Sequence, residues 1–316
     1  MTTNFTKTIA TSFICFFLIS FAFAGVVIPA NQSVVVSADN ASNAISPAFT
    51  QLDNIVIAEM KATDFAATAG ASKSLVLTAP SGWTFKPGCG SIEVVNAKDF
   101  SAVSMNISWT TITINFTVKG TTNIDVLNIA GVQVQATNGA NVDCQGMIYR
   151  SSSNPGTASI NGITSGTSFF TLSQTSGMAT RLAFTTRPVA SAAGTIFEQQ
   201  PVIVTQDQFG NPTAKGLQAT QNVKIKLSSG TGALIGTTVI NIGTLGGNGI
   251  AIYTDLQLNT CGIKKLIATS GSLTFAVTSE IIIKEEETNA RISSGDADDY
   301  YPDWMATNSF NVIPAI

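Results

Sequence analysis

The dominant pattern of the chain is a series of short runs in which apolar and polar residues alternate, with turn residues between the runs. In the clearest run, residues 111–118, the side chains of Ile112, Ile114 and Phe116 point to one side and the intervening Thr and Asn side chains to the other. No stretch of the first half has the 3.6-residue period of an amphipathic helix. The pattern predicts an all-β fold, with strands in the first half at residues 33–37, 53–59, 74–79, 90–95, 111–119 and 131–137.

The alternation of apolar residues shifts by one position just before residue 111, which predicts a hairpin. The apolar residues Ile107 and Trp109 stand at odd positions, whereas those from Ile112 onward stand at even positions. The chain therefore has to turn or bulge near Trp109 and Thr110, which places Trp109 at a hairpin tip.

A second series of short strands begins near Met178. The apolar positions that mark these strands are Leu182 and Phe184, Val202 and Val204, Val223 to Leu227, Val239 to Ile242, Ile250 to Tyr253, Lys265 to Ala268, Phe275 and Val277, and Ile281 to Ile283. Their spacing is typical of an immunoglobulin-like sandwich.

Two tandem β-sandwiches are therefore predicted, an N-terminal one at residues 25–175 and an immunoglobulin-like one at 178–284. Residues 173–177 are polar and few, and they predict a hinge between the two. From Glu285 onward the sequence turns acidic. Residues 285–316 are expected to form either an acidic tail or the start of a truncated further domain.

The first 24 residues have the organisation of a secretory signal peptide. A single cation, Lys7, precedes an apolar stretch from residue 9 to residue 23, and Ala22 and Ala24 occupy the small-residue positions that signal peptidase reads. That stretch is shorter than the roughly 20 residues of a membrane span. We therefore expect residues 1–24 to be removed and the mature chain to be exported, with no transmembrane segment.

The composition restricts the chemistry. The 316 residues include no histidine, 16 Lys and Arg, and 19 Asp and Glu, for a net charge of −3. The absence of His excludes Ser-His-Asp and Cys-His nucleophiles as well as His-ligated zinc. The acids are sparse within the predicted sandwiches, and the Gly-rich segments lack the ending of a phosphate-binding loop. The protein is therefore not expected to be an enzyme, and its negative charge disfavours nucleic acid as a partner.

Cysteine usage fits an exported protein. After the signal peptide the chain has Cys89, Cys144 and Cys261, so at most one disulfide can form within it. Cys89 and Cys144 lie in the same predicted sandwich and are the expected pair. Cys261 is expected to be a buried free thiol.

Three ordered segments cover much of the second predicted sandwich: GMATRLAFTTRP at residues 177–188, PVIVTQDQFGNP at 201–212 and VKIKLSSGTGALIG at 223–236. Together they resemble bacterial immunoglobulin-like repeats of the invasin and intimin kind. The preceding unit is similar to the sandwich that often precedes such repeats. The resemblance implies an immunoglobulin-like fold and an adhesin-like protein secreted by, or on the surface of, a Gram-negative bacterium, and it implies no particular ligand.

Two groups of oxygen-bearing side chains are candidate calcium ligands. Asp207 and Asn211 bracket a Gly-containing turn, and Asp296 and Asp298 lie in the acidic tail. Each group has a simpler interpretation: Asp, Gly, Asn and Pro are what a tight turn requires, and closely spaced acids are typical of a solvated tail. The tail lacks the spacing of an EF-hand. No other cofactor is expected.

Exposed aromatic rings are the candidate ligand contacts, because the apolar face of a sugar can stack on such a ring. The candidates are Trp109 at the hairpin tip and Tyr300, Tyr301 and Trp304 in the tail. Trp83 and Phe85 are two residues apart, on one face of a strand, and are expected in the core.

These features predict a secreted or cell-surface, adhesin-like binding or structural protein, in which loops at the ends of rigid sandwiches contact an extracellular protein or a glycan. The alternative is a carbohydrate-binding accessory module of a polysaccharide-degrading system. An exposed aromatic patch favours that alternative, whereas tandem domains without such a patch favour the adhesin.

Overall fold

The computed structural model describes residues 25–29, 32–65, 70, 72–95, 99–189 and 192–285. The predicted signal peptide and all but the first residue of the predicted tail lie outside the described residues. Within them the only helical segment is one 3₁₀ turn at Ala38–Asn40, and the regular structure is otherwise β. The predicted all-β fold class is confirmed.

The first sandwich is built from strands β1 to β12. They are β1 (Ser33–Ser37), β2 (Thr50–Gln51), β3 (Ile55–Ala58), β4 (Ser72–Thr78), β5 (Trp83–Phe85), β6 (Ser91–Val95), β7 (Phe100–Ile107), β8 (Thr111–Val118), β9 (Val126–Ala130), β10 (Gln133–Ala136), β11 (Gln145–Tyr149) and β12 (Ser168–Thr175).

These strands form three sheets around one core. A six-stranded sheet in the order β1-β12-β11-β4-β8-β7 lies with two three-stranded sheets, β3-β9-β6 and β2-β10-β5. All three contribute to one continuous cluster of buried side chains, for example Ile114 from the large sheet, Ile57 from the second and Val134 from the third. A shared core between facing sheets is the definition of a β-sandwich.

Strand β8 behaves as its alternating sequence predicts. Ile112, Ile114 and Phe116 are fully buried. β4 pairs with β8 in a register that places Leu75 opposite Ile114 and Leu77 opposite Ile112, so apolar side chains meet on the core face. β7 returns against β8 with Ile107 opposite Ile112, which confirms the predicted hairpin.

The second sandwich is built from strands β13 to β22. They are β13 (Arg181–Thr186), β14 (Val202–Gln206), β15 (Asn222–Ser229), β16 (Leu234–Ile235), β17 (Val239–Asn241), β18 (Ile250–Ile252), β19 (Gln257–Leu258), β20 (Gly262–Ser270), β21 (Leu273–Val277) and β22 (Ile281–Ile283).

One large sheet encloses the second core. Its order is β17-β15-β20-β21-β13-β14-β18, with β22 also paired to β20, and β16 and β19 form a separate pair. Ile225 of β15 and Ala251 of β18 lie near opposite ends of this order, yet both belong to the same buried cluster. The sheet therefore curls around its core, which makes this unit a closed sandwich of its own.

Several strands of the first sandwich have no counterpart among the predicted ones. β9, β11 and β12 are examples. In β12, Phe169 and Phe170 are adjacent and both buried, so the strand lacks a simple two-residue alternation. β11 pairs with β12 through a register shift at Ile148 and Tyr149, which interrupts its pattern in the same way.

The cysteines differ from the sequence-based expectation. Cys89 and Cys144 are free thiols, and the structure does not contain the predicted disulfide. Cys144 contacts the Ser81 carbonyl oxygen, in the turn before β5, whereas Cys89 lies in the turn after β5 and donates to the Lys86 carbonyl oxygen at 2.9 Å. The two thiols thus contact turns on opposite ends of β5. Cys261, which the sequence predicts to be buried, is exposed, in the turn before β20.

Candidate functional site

The turn that follows β14 is organised by the buried carboxylate of Asp207. Its Oδ1 accepts hydrogen bonds from the backbone N–H groups of Phe209 and Asn211, both at 2.9 Å. Its Oδ2 accepts from the Asn211 side-chain amide and from the backbone N–H of Gly177, both at 2.8 Å. Four donors thus surround one carboxylate, which is strong compensation for burying the charge.

This geometry bears on the calcium hypothesis at Asp207 and Asn211. A cation bound by Asp207 would have to displace donors that already occupy both oxygens, and the Asn211 amide nitrogen faces the carboxylate as a donor. The residues form a tight turn, in which the Gly210 backbone N–H also donates to the Asp207 carbonyl oxygen at 3.1 Å. Among the described residues, no group of three or more Cys, Asp or Glu is placed to hold a metal. Asp296 and Asp298 lie outside the described residues.

A second carboxylate reaches the same place from the first sandwich. Asp39, in the turn after β1, accepts the backbone N–H of Met178 on Oδ2 at 2.7 Å and the side-chain amide of Gln208 on Oδ1 at 2.8 Å. Gln208 in turn accepts the backbone N–H of Ile45 at 2.9 Å. Asp39 and Asp207 therefore hold consecutive peptide groups of the connection, those of Met178 and Gly177.

Apolar packing also joins the two sandwiches at this place. Phe209 belongs to the second sandwich, yet its ring packs against the core of the first. The ring lies over Gly139, where an added Cβ atom would overlap it, and the Asn211 amide donates to the Gly139 carbonyl oxygen at 2.9 Å. We call the set Asp39, Gly139, Gly177, Asp207 and Phe209 the joint.

The connection between the sandwiches has further supports. The Lys215 ammonium donates to the Thr175 hydroxyl at 2.9 Å and to the Ser176 carbonyl oxygen at 2.8 Å. The Thr213 hydroxyl donates to the Gly177 carbonyl oxygen at 2.9 Å. The sequence predicts a hinge at residues 173–177, but the structure shows a braced connection whose first residues belong to β12.

The joint lies where strands of both sandwiches end. On the first side β1 ends at Ser37 and β12 at Thr175, and on the second side β13 begins at Arg181 and β14 ends at Gln206. Contacts made at strand ends, rather than on sheet faces, join the two sandwiches in series.

A second candidate site is the surface around Trp109. This side chain is 58% exposed at the tip of the β7–β8 hairpin. The ring of Phe49 has its centroid 6.4 Å from that of Trp109, tilted by 38°, and the Lys86 ammonium lies 5.9 Å from the Phe49 centroid. We call these three residues the aromatic patch. Trp83 and Phe85 are buried, as predicted.

The sequence predicts one member of the joint, Asp207, and one of the patch, Trp109, as site residues. Tyr300, Tyr301 and Trp304 lie outside the described residues. The patch residues Phe49 and Lys86 carry no sequence signal. Phe209 does carry one, because a large apolar ring within an otherwise polar turn indicates a contact outside that turn.

Two other polar side chains are buried, Arg150 with three hydrogen bonds from its guanidinium and Tyr253 with a hydroxyl that has no partner among the described residues. The Arg150 guanidinium donates to three backbone carbonyl oxygens, those of Pro155 at 3.0 Å, Ile163 at 3.0 Å and Ala158 at 2.5 Å. Burial lowers the pKa of Arg150 from its ordinary value. Tyr253 is buried in the second core, and burial raises its pKa to about 12.

Comparison with known proteins identifies no family. No family model matches the sequence, and no curated protein matches it. The structure is similar to that of a protein from Corynebacterium diphtheriae described as membrane-anchored, with 12% identity, a TM-score of 0.26 and coverage of 83% of this chain and 53% of the other. It is also similar to a variant of the major pilin subunit of Bacillus cereus, with 10% identity, a TM-score of 0.22 and coverage of 76% and 63%.

The chain thus spans less than two thirds of either protein. At such TM-scores neither likeness decides a function for this chain. Neither supports the invasin and intimin kinship or the Gram-negative source predicted from the sequence. Among the described residues, no helix has the length and apolar character needed to cross a membrane.

Proposed function

We propose that this protein is an exported, adhesin-like structural protein of the cell surface, in which two β-sandwiches in series form a stiff spacer. The observation that carries the proposal is the joint, where Asp39 from the first sandwich and Asp207 from the second hold adjacent backbone N–H groups of the connection. The protein would act through its shape and its surface, without catalysing a reaction.

Stiffness is what distinguishes such a spacer from a pair of tethered domains. Domains connected by a free linker move relative to each other by default. Here the linker peptides are hydrogen-bonded to both sides, and Phe209 is inserted against the first core. Bending at the joint would expose that ring to water and break hydrogen bonds to the two carboxylates, each of which contributes about 1.5 to 3 kcal/mol.

The surface location is supported by the signal peptide predicted in residues 1–24 and by the all-β architecture. The immunoglobulin-like fold predicted for the second sandwich fits the same use, because sandwiches in series hold their end loops away from their point of attachment. The partner in this proposal is an extracellular protein or a glycan.

The location is tested by labelling intact cells of the source organism with an antibody raised against the purified protein. We expect the antibody to label the cell surface or to detect the protein in the culture medium, and mass spectrometry to find Gly25 at the mature N-terminus. Detection only inside lysed cells, with Met1 or Thr2 at the N-terminus, would contradict the proposal.

A carbohydrate-binding role is the second candidate. It is favoured by one observation, the exposure of Trp109 beside Phe49. This role is compatible with a surface spacer, since a spacer can carry its own binding surface. The aromatic patch is the place in the described structure where that role can be tested.

A further inference from the structure

The aromatic patch brings together three segments that are distant in sequence. Phe49 precedes β2, Lys86 follows β5, and Trp109 lies between β7 and β8. The two rings lie 6.4 Å apart between centroids, and the ammonium lies 5.9 Å from one of them. The two rings give this surface an apolar part, and the Lys86 ammonium places a positive charge next to it.

The hairpin presents Trp109 in a fixed position. The Trp109 carbonyl oxygen accepts the backbone N–H of Phe85 at 2.9 Å, and Phe85 is fully buried. The hairpin turn is closed by the Ser108 backbone N–H, which donates to the Thr111 carbonyl oxygen at 2.9 Å, and the Ser108 hydroxyl accepts the Thr111 backbone N–H at 3.0 Å. A fixed backbone reduces the ordering cost that a binding surface pays when a ligand arrives.

The charge on this surface is available to a ligand. Between described residues the structure has a single ion pair, Lys265 with Glu280, so Lys86 forms no salt bridge with any of them. Lys86 is exposed. The chain as a whole carries a net charge of −3, so the attraction for a negative group is local to Lys86. An exposed ammonium beside an aromatic surface complements a small ligand that has an apolar face and one negative group nearby.

We infer that the aromatic patch binds an anionic carbohydrate, with the C–H face of a sugar ring on Trp109 and a carboxylate of a uronic acid unit paired with Lys86. Stacking supplies contact area and the ammonium supplies the preference for acidic sugars. This inference rests on the proposed function, because it names the ligand class that the surface protein would hold.

The test uses the full mature chain and oligogalacturonate, an oligomer of uronic acid. Its methyl ester is the matched ligand, since it keeps the sugar rings and removes the charge. Binding is followed by isothermal titration calorimetry, and contact with Trp109 by the chemical shift of its indole N–H in an NMR titration, assigned with Trp109→Phe. We expect the acid form to bind, to shift the Trp109 resonance, and to bind at least tenfold more tightly than the ester.

Variants separate the contribution of stacking on Trp109 from that of the Lys86 charge. Trp109→Ala is expected to weaken binding of both ligands at least tenfold, and Trp109→Phe to restore much of it. Lys86→Gln is expected to weaken binding of the acid form and to leave that of the ester unchanged. Leu245→Ala, which removes an exposed apolar side chain from the second sandwich, is the control and should bind as the wild type does.

Three results would overturn the inference: no binding of oligogalacturonate, equal binding of acid and ester, or unchanged binding by Trp109→Ala. Thermal melting shows whether Trp109→Ala folds. If it does not, Lys86→Gln still tests whether the charge strengthens binding of the acid form, and the NMR shift still tests whether the ligand contacts Trp109. Cell labelling remains independent of these outcomes, so a surface protein without glycan binding is distinguishable from one that is not exported.

Discussion

Phe209 of the second sandwich lies over Gly139 of the first so closely that residue 139 has no room for a Cβ atom. The same glycine offers its carbonyl oxygen to the Asn211 amide at 2.9 Å. One glycine thus accommodates a ring and accepts a hydrogen bond across the boundary between two cores. This contact joins the turn after β14 of the second sandwich directly to the core of the first.

Gly139→Ala is therefore expected to destabilise the protein. The added methyl group forces the Phe209 ring out of its place, and overpacking of this kind costs about 1 to 3 kcal/mol. The measurement is urea denaturation of the full chain. The neighbouring exposed residue provides the control, Ala140→Ser, which should change the free energy of unfolding by less than about 0.5 kcal/mol. Equal stability of the two variants would show that residue 139 is not a tight contact.

Asp207→Ala is expected to be more damaging. It leaves the backbone N–H groups of Gly177, Phe209 and Asn211 without their acceptor, and a single buried donor left unpaired costs about 1 to 3 kcal/mol. We expect a loss of about 3 kcal/mol or more in the free energy of unfolding. Asp53→Ala removes an exposed Asp of the first sandwich and serves as the control. A loss no larger than that of the control would mean that Asp207 does not support the joint.

The strands and the joint differ in how far the sequence reveals them. The β8 alternation is local, so Ile112, Ile114 and Phe116 could be assigned to the core from sequence alone. The joint depends on pairs such as Asp39 and Gln208, which are 169 residues apart. Such a pair forms only when the two folded sandwiches pack together, and no local sequence pattern encodes it. The same turn sequence, Asp207 to Pro212, was therefore recognisable as a turn but not as a contact.

The cysteine predictions show a related limit. Placing Cys89 and Cys144 in one sandwich does not establish that their sulfur atoms meet, because disulfide geometry requires Cα atoms within about 7 Å. Cys144, between β10 and β11, contacts the turn before β5, whereas Cys89 lies in the turn after β5. Counting cysteines could therefore limit the number of bridges but could not place one.

Arg150→Lys is expected to destabilise the first sandwich. A lysine ammonium cannot reproduce the planar fork that reaches the carbonyl oxygens of Pro155, Ala158 and Ile163. We expect a loss of about 2 kcal/mol, since hydrogen bonds to a charged group contribute about 1.5 to 3 kcal/mol each and lysine retains part of them. Thermal melting is the measurement. Arg187→Lys, at an exposed position, should leave the melting temperature unchanged, and an equal effect of both variants would refute the role assigned to Arg150.

Tyr253→Phe tests the second core. The Tyr253 hydroxyl is buried and has no hydrogen-bond partner among the described residues, so its removal is expected to be neutral or stabilising at neutral pH. In the folded chain burial raises the pKa from 10.0 to about 12. The unfolded chain therefore loses this proton first as pH rises, and wild-type stability falls above pH 10.

The phenylalanine variant lacks this ionisation. Its stability advantage over the wild type is expected to grow as pH rises from 10 towards 12. The comparison is made by chemical denaturation at a series of alkaline pH values. A difference in stability that does not change with pH would show that Tyr253 ionises equally easily in the folded and unfolded chains.

The stiffness of the joint is the central claim, and a distance measurement across it is the most direct test. One spin label goes on the exposed native Cys261 and another on Asn106→Cys, an exposed position of β7, with Cys89 and Cys144 replaced by Ser. Pulsed electron paramagnetic resonance then records the distribution of distances between the labels. We predict one narrow distribution, which broadens when Asp207→Ala and Phe209→Ala are combined. A broad distribution in the unaltered joint, or no change on removing both side chains, would contradict the account of this protein as a stiff spacer.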